Sequence, residues 1–442
     1  MTTPEAGAWQ RLLGSVDAGF RTRLVNTGHL LSGSVASALL GLGAVAFTAR
    51  ALGPFDYGVL ALALSFVRAV EHIVTFQSWQ ALIRYGAPLT GPEHRDDLRV
   101  LLKFGLALDV GGALIAAALA AGITLVAGPL LGWSDRVQAT VLVCCMMLPF
   151  NLNGMATAVL RLFGRYRLAA YGPAMGSFAR MLACSVGLAT GLDVVGFAIV
   201  WTVTQSLGAL LLLGQAFRVL RANGVTGVLA APLQGVGKRF EGLWGFAWST
   251  NLSLAIRSSA NQLDVLVVGA LAGPAAAGLF HIVKRAAKVA EQATAHIQTV
   301  LYPDVARMWA AGDKAGVRQA VRQVEWMVLA FGMAATLFLL AAAPWLLGWT
   351  AGPEFVVAAP LLVVQMFAVT LMMTGSASRS ALLAAGRQRQ VLNAAVVGTA
   401  AFHVTALLLV SEMGAIGASI AHVVMGTIVS AMIIADFRKV AA

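Results

Sequence analysis

Apolar stretches long enough to cross a bilayer follow one another along almost the whole chain of 442 residues. About 20 such residues in an α-helix span the hydrocarbon core of a membrane. Only 11% of the residues are charged and 59% are hydrophobic, whereas soluble domains carry roughly 25% charge. Because every backbone polar group in lipid must be satisfied within the segment, the pattern predicts an all-α polytopic membrane protein.

The apolar periodicity predicts twelve transmembrane helices, and Gly-Pro pairs mark several of the short connections between them. We expect the longer connection at 303–322 to form a short surface helix. Asn151 and Asn153, beside Pro149, predict a kink in the fourth helix. The predicted helices cover residues 24–49, 57–83, 101–127, 137–160, 168–190, 193–217, 243–271, 275–302, 323–347, 355–384, 391–411 and 414–436.

Lys and Arg are distributed very unequally between the two ends of these helices. Of the 31, 23 fall on the side of the N-terminus, six lie within the helices, and only Arg50 and Arg136 fall on the opposite side. Because basic loops stay in the cytoplasm, both termini are predicted to be cytoplasmic. The net charge of +12 therefore reflects topology, and nucleic acid is not an expected partner.

Sequence landmarks recur in the same order at offsets of 216 to 222 residues. Six crossings return a chain to its starting side, so the repeat predicts two six-helix bundles related by a pseudo-two-fold axis along the membrane normal. The repeated landmarks are the Gly-Pro turns at 53–58 and 273–278, the Leu-Leu-Gly-Trp sequences at 130–133 and 346–349, and the Gly-Arg-x-Arg sequences at 164–167 and 386–389. The predicted domains are an interfacial helix (1–23), an N-terminal lobe (24–217), a cytoplasmic linker (218–242) and a C-terminal lobe (243–442).

Counted inward from the ends of the predicted helices, ten charged residues lie within the membrane. A charge at the centre of the hydrocarbon layer costs at least about 2.5–3.5 kcal/mol, so such residues normally face protein or a water-filled cavity. The repeat itself carries charge, because Arg68 and Glu71 recur as Lys288 and Glu291. The bases are Arg68, Arg180, Arg257, Lys284, Arg285 and Lys288, and the acids are Glu71, Asp109, Asp264 and Glu291.

The excess of basic over acidic residues within the helices favours an anionic ligand such as a diphosphate, because guanidinium and ammonium groups form charge-assisted hydrogen bonds with phosphate. We therefore predict as substrate-binding residues Arg68, Arg257, Lys284, Arg285 and Lys288. The predicted coupling or counter-ion residues are Glu71, Asp264 and Glu291. Two alternatives stay open: Arg68 and Lys288 could simply pair with the acids three residues on, and Asp264 could neutralise Arg257 or bind a coupling cation.

The first hairpin, Ala49-Arg50-Ala51-Leu52-Gly53-Pro54-Phe55-Asp56-Tyr57-Gly58, resembles that of the oligosaccharide flippases in the multidrug/oligosaccharidyl-lipid/polysaccharide exporter superfamily. The resemblance implies a flippase for undecaprenyl-diphosphate-linked glycans, with two helical bundles around a cationic cavity. Lipid II flippases usually have two further helices. Drug/cation antiporters often carry an acid in the first helix, where residues 24–49 have none.

We expect a lipid-linked glycan, the bilayer and a polysaccharide-synthesis complex as partners, in a bacterial inner membrane. No cofactor or metal is expected, and the sequence has no Gly-x-x-x-x-Gly-Lys-Ser/Thr loop to bind ATP. The alternatives are a cation-coupled exporter of small amphiphiles, a membrane polysaccharide polymerase, and an inactive scaffold. Short outer loops that hold only Arg50 and Arg136 argue against a polymerase.

Overall fold

The computed structural model describes the backbone of residues 18–76 and 78–441, and their side chains except at 18–27, 249–250, 252–261 and 293–304. Of the predicted interfacial helix at 1–23, residues 1–17 lie outside the described part of the chain. Within the described part of the chain, all regular secondary structure is helical and makes twelve passes, α1 to α12, as predicted.

The first six passes form the N-terminal lobe. The continuous element Ala18–Val74 changes direction at Gly53, whose φ of 68° and ψ of 176° are not helical. This glycine divides the element into α1 (18–52) and α2 (54–74). The other passes are α3 (Arg95–Leu130), α4 (Asp135–Cys145 and Asn153–Leu162), α5 (Tyr166–Thr190) and α6 (Val194–Ala222).

The last six passes repeat this plan. The element Leu243–Ala310 turns at Gly273, with φ 83° and ψ 173°, and so divides into α7 (243–272) and α8 (274–310). The other passes are α9 (Lys314–Thr350), α10 (Ala359–Thr374 and Ser376–Ala384), α11 (Gln388–Met413) and α12 (Ala415–Ala441). Short helices lie at Ser78–Gly86 and Val236–Arg239, and 3₁₀ turns at Ala87–Leu89, Pro92–His94, Leu148–Phe150, Val228–Ala230 and Pro353–Ala358.

Nine helices in the described residues are long and apolar enough to cross a membrane. Two of these, Gly28–Val74 and Gln262–Gln292, contain a glycine break, so each of them accounts for two passes. Together with α5, which is not among the nine, they make up the twelve passes. The surface helix expected at 303–322 is not a separate element. Instead α8 continues to Ala310, and a tight turn at Gly312 (φ 77°) leads directly into α9.

The two lobes meet where α2 and α8 begin, next to the repeated Gly-Pro turns. A Cβ atom on Gly58 would lie 1.8 Å from the Pro274 carbonyl oxygen, and one on Gly278 would lie 2.4 Å from the Pro54 carbonyl oxygen. Only glycine allows backbones to approach this closely. The predicted topology places this crossing at the outer side of the membrane, so the lobes are closed there.

Candidate functional site

A hydrogen-bonded pair joins the lobes just below the glycine crossing. Tyr57 of α2 is only 2% exposed, and its hydroxyl lies 2.6 Å from Nδ1 of His281 in α8. The Tyr57 ring also packs edge-on against Phe355, with 5.9 Å between ring centroids. The Nε–H of Arg285 donates to Nε2 of His281 over 3.5 Å, so this imidazole connects the lobe contact to a buried arginine.

Arg68 and Arg285 bring two guanidinium groups together from opposite lobes. The Nε–H of Arg68 donates to the Leu64 carbonyl oxygen of its own helix over 3.0 Å. The positive charge of Arg285 acts on Arg68, so the two groups lie within electrostatic range of each other. Among the described residues, the terminal NH₂ groups of both arginines have no hydrogen-bond acceptor and no carboxylate within ion-pair distance, which leaves them available to an anion.

Arg180 of α5 adds a third guanidinium group to this region. Its Nε–H donates to the Thr204 hydroxyl over 3.0 Å, and its Nη2 donates to Oε1 of Gln205 over 2.6 Å. The group also lies 4.8 Å from the centroid of the Trp201 ring. These partners are all neutral, so none of them compensates the charge of Arg180, which lies within electrostatic range of Arg68. No pattern in the sequence indicates that α5 turns this residue towards α6 and the other arginines.

Lys284 of α8 is paired with an acid. Its Nζ lies 2.7 Å and 2.6 Å from the two carboxylate oxygens of Asp264 in α7. The Asp264 side chain is fully buried, whereas that of Lys284 is 22% exposed. Among the described side chains, Lys284 is the basic residue that pairs with Asp264; the Arg257 side chain is not described, so its pairing with Asp264 and a coupling cation stay as the two alternatives from the sequence.

The Lys284–Asp264 pair belongs to a polar network within the C-terminal lobe. Nε2 of His422 in α12 lies 3.5 Å from Asp264, and its Nδ1 lies 3.3 Å from Oε1 of Gln365 in α10. The His422 ring is stacked on Phe280 and Phe402, with centroid distances of 5.9 Å and 4.6 Å. The network therefore joins α7, α8, α10 and α12, which ties the carboxylate to the packing of one lobe.

Lys288 is exposed, although it lies near the middle of α8. Its charge acts on His72 of α2, so the ammonium group lies within electrostatic range of the other lobe. Lys288 interacts electrostatically with Glu291, but within the described residues the two form no ion pair closer than 4 Å. The predicted site residue Arg257 falls in α7 where no side chain is described. The roles assigned to these residues stay predictions.

Glu71 bonds to the break in α4 and not to Arg68. Its Oε1 accepts a hydrogen bond from Nδ2 of Asn151, whose Oδ1 in turn accepts from Nδ2 of Asn153. The kink predicted at these asparagines is confirmed, because a 3₁₀ turn at Leu148–Phe150 interrupts the helix. Within the described residues, Arg68 and Glu71 form no ion pair, so the sequence-local pairing considered for them is absent there.

The charges that remain without an acidic partner define what this region can bind. Lys284 and Asp264 compensate each other, whereas the described surroundings of Arg68, Arg180 and Arg285 provide no carboxylate to pair with them. Lys288 adds an accessible ammonium group at the lobe boundary. Concentrated positive charge of this kind favours a phosphate-bearing anion, and Arg binds such groups bidentately. Among the described residues, no cluster of His, Cys, Asp or Glu suits a metal ion.

Comparison with known proteins identifies relatives of this chain. The sequence profile of a family described as polysaccharide biosynthesis protein matches residues 47–360. The inner membrane protein YghQ of Escherichia coli (strain K12) is 28% identical over 310 residues, which cover 68% of this chain and 87% of that protein.

Solved structures share the fold at low sequence identity. The lipid II flippase MurJ in an inward closed conformation matches with a TM-score of 0.69 and 13% identity over 93% of this chain and 89% of that one. An inward-facing multidrug resistance MATE family transporter of the MOP superfamily matches with a TM-score of 0.64 and 15% identity over 95% and 94%. These matches confirm the predicted two-bundle architecture of twelve helices.

Proposed function

Because the chain belongs to the polysaccharide biosynthesis protein family, we propose that it is a flippase for a polyprenyl-diphosphate-linked oligosaccharide. In this proposal it carries the lipid from the cytoplasmic to the outer leaflet of a bacterial inner membrane by alternating access, and it is a transporter and not an enzyme. The observation that supports it most directly is that Arg68 and Arg285 lie in opposite lobes within electrostatic range of each other, and that among the described residues neither forms an ion pair closer than 4 Å with a carboxylate.

The diphosphate would bind between these two guanidinium groups. Arg68 belongs to α2 and Arg285 to α8, so an anion held by both joins the two lobes at the point where they rock against each other. Lys288 would attract the head group as it enters, since its ammonium group is exposed at the lobe boundary. Arg257 keeps its predicted role from the sequence. Lys284 would contribute only if it exchanged Asp264 for phosphate.

The membrane potential supplies a driving force for this direction of transport. Moving one negative charge outward across an inside-negative membrane gains about 2.3 kcal/mol per 100 mV. Two charges on the diphosphate would gain roughly 4–5 kcal/mol, which biases transport outward without ATP. The polyprenyl tail would stay in lipid, reaching the site through a lateral opening between the lobes.

The rival transport function requires acids that face a neutral cavity. Asp264 is fully buried and bonded to Lys284, so it does not meet this requirement in the C-terminal lobe. We therefore prefer the anionic lipid over small cationic amphiphiles. Cytoplasmic termini and a polysaccharide-synthesis complex as partner are part of the same proposal.

Transport in proteoliposomes tests the function. Undecaprenyl diphosphate carrying a short fluorescent oligosaccharide is placed in both leaflets, and a membrane-impermeant quencher reports its movement. We expect Arg68→Gln and Arg285→Gln each to reduce the initial rate at least 10-fold, since each removes a charge-assisted contact worth about 1.5–3 kcal/mol. Arg218→Gln, at an exposed position near the end of α6, is the matched control and should transport at the wild-type rate.

Unchanged transport in both Arg68→Gln and Arg285→Gln, with normal folding, would contradict the proposal. Transport of a cationic amphiphile by the wild type, with no transport of the lipid diphosphate, would favour the rival function instead. Melting curves of every variant in the same lipid distinguish loss of transport from loss of the fold.

A further inference from the structure

The break in α4 is held open by a dedicated set of hydrogen bonds. Asn151 has φ −82° and ψ 59°, so the backbone there is not helical, and the helix restarts at Asn153. On the buried side, Oδ2 of Asp109 accepts a hydrogen bond from the Met155 backbone over 2.7 Å, and Oδ1 accepts from the Ser78 hydroxyl over 2.5 Å. Asp109 is only 5% exposed. This clamp fixes the break from one side.

The other side of the break presents polar groups that are partly accessible. Glu71, Asn151 and Asn153 form a chain of hydrogen bonds, and each of the three side chains is half-buried. Among the described residues, the second carboxylate oxygen of Glu71 and the amide oxygen of Asn153 accept no hydrogen bond. The chain therefore has an open acceptor at each end, and each amide has a second N–H to donate.

This polar chain adjoins the arginines of the proposed diphosphate site. Arg68 precedes Glu71 by three residues on α2, and side chains at that spacing lie about 5–6 Å apart at Cβ. The charge of Arg68 acts on Glu71. In a diphosphate-linked glycan, the sugar bonded to the second phosphate begins only one glycosidic oxygen away. A phosphate held by Arg68 consequently brings that first sugar to the polar chain.

We propose that Glu71, Asn151 and Asn153 form a subsite that binds the hydroxyl or amide groups of the sugar next to the diphosphate. The proposal rests on the proposed function and deepens it, because it assigns glycan recognition to the N-terminal lobe. Planar carboxylate and amide groups suit this ligand, since they donate and accept hydrogen bonds at once and need no charge from the sugar.

A monovalent cation fits the same three residues less well. Asn151 turns an amide N–H towards the carboxylate of Glu71, whereas a cation needs oxygens turned towards it. The surrounding charges are also positive, since Arg68 and Lys288 act on this part of α2. A neutral hydrogen-bonding ligand avoids both penalties.

Equilibrium binding to the purified full chain in nanodiscs tests the subsite. The two probes are undecaprenyl diphosphate and undecaprenyl diphosphate carrying one N-acetylglucosamine, and the measured quantity is the ratio of their Kd values. We expect the wild type to prefer the sugar-bearing lipid about 10- to 100-fold, as hydrogen bonds to a carboxylate predict. Glu71→Gln and Asn153→Ala should each reduce this ratio at least fivefold, because each weakens the contacts made only by the sugar.

A matched amide variant and a sodium titration complete the experiment. Asn223→Ala removes an amide that bonds only to the Val219 carbonyl at the end of α6, and should keep the wild-type ratio. An unchanged ratio of Kd values in both subsite variants overturns the inference. If these variants keep the ratio but have lower thermal stability, the hydrogen-bonded side chains have a purely structural role. Sodium-dependent binding that Glu71→Gln abolishes, without a change in the ratio, assigns a cation site instead. Failure of the wild type to bind either lipid overturns the proposed function itself.

Discussion

The ion pair between Lys284 and Asp264 allows a quantitative test of how the C-terminal lobe is stabilised. The perturbations are Asp264→Asn, Lys284→Met and the double variant that carries both. Both substitutions approximately conserve side-chain volume, so they change charge more than packing. Because both Asp264 oxygens lie within 2.7 Å of the lysine Nζ, each single variant removes the charge–charge interaction of the pair.

The two single variants should lose different amounts of unfolding free energy, because the two members of the pair differ in burial. Removing one partner of a buried pair costs about 3–5 kcal/mol, because the other charge is left unpaired. Lys284→Met leaves the fully buried Asp264 carboxylate and should lie at the upper end of this range, offset in part by His422 at 3.5 Å. Asp264→Asn leaves an ammonium group that is 22% exposed and should lie at the lower end.

The double variant should be more stable than either single variant, since neither member of the pair is then left charged without its partner. Replacing both members of a buried pair with neutral groups is often close to neutral in stability, so we expect a coupling free energy of about 3 kcal/mol or more. The assay is denaturant-induced unfolding of the four proteins in the same lipid. The matched control is the same cycle on Lys439 and Asp436, whose more exposed side chains lie 3.8 Å apart and should couple by less than about 1 kcal/mol.

Additive losses in the double variant would refute this reasoning, because they would mean that neither charge depends on the other. Transport by the double variant then decides the role of Lys284. A stable double variant that transports at the wild-type rate would exclude Lys284 from the substrate site, whereas a stable variant that no longer transports would place the ammonium group there.

Further predictions concern the outer contact and the topology. Gly58→Ala should separate the outer ends of the lobes, because its Cβ would lie 1.8 Å from the Pro274 oxygen. Distances between spin labels in the outer loops should therefore increase. Gly111→Ala is the control, since its Cβ would meet no atom within 4 Å, and should leave these distances unchanged. Tyr57→Phe removes the hydrogen bond to His281 and should weaken outer closure by about 1 kcal/mol, seen as faster labelling of outer-loop cysteines by an impermeant reagent. Alkaline phosphatase fused to the C-terminus should be inactive, since basic loops place that end in the cytoplasm.

The backbone plan of the molecule could be predicted from sequence because strong local signals specify it. Long apolar runs set the passes, and Gly53 and Gly273 have positive φ where the Gly-Pro pairs predict turns between helices. Pro149 with Asn151 predicted the interruption of α4, since proline removes a backbone donor. The continuation of α8 into residues 303–310 was missed, because polar residues at a helix end resemble a separate surface element.

The partners of the buried charges could not be predicted because they depend on how each helix is rotated about its axis. Membrane helices are apolar on nearly every face, so their sequences specify rotation weakly. Lys284 meets Asp264 from the preceding helix, but His422 reaches the same carboxylate from α12, 158 positions further along the chain. Similarly, no local pattern connects Tyr57 with His281. Such contacts follow from three-dimensional packing alone.

The crossing of Gly58 and Gly278 bears on the ancestry of the two lobes. Gly58 and Gly278 occupy equivalent positions in the two halves of the sequence. Gly58 approaches the Pro274 carbonyl and Gly278 approaches the Pro54 carbonyl, and these two prolines are equivalent as well. A contact between equivalent positions is what a two-fold symmetric dimer of identical subunits contains at its axis. At this contact the single chain has the geometry of a homodimer of six-helix units, in which one glycine position would supply both sides of the contact. In the single chain the two positions can mutate independently, yet neither has room for a side chain while the other backbone stays in place.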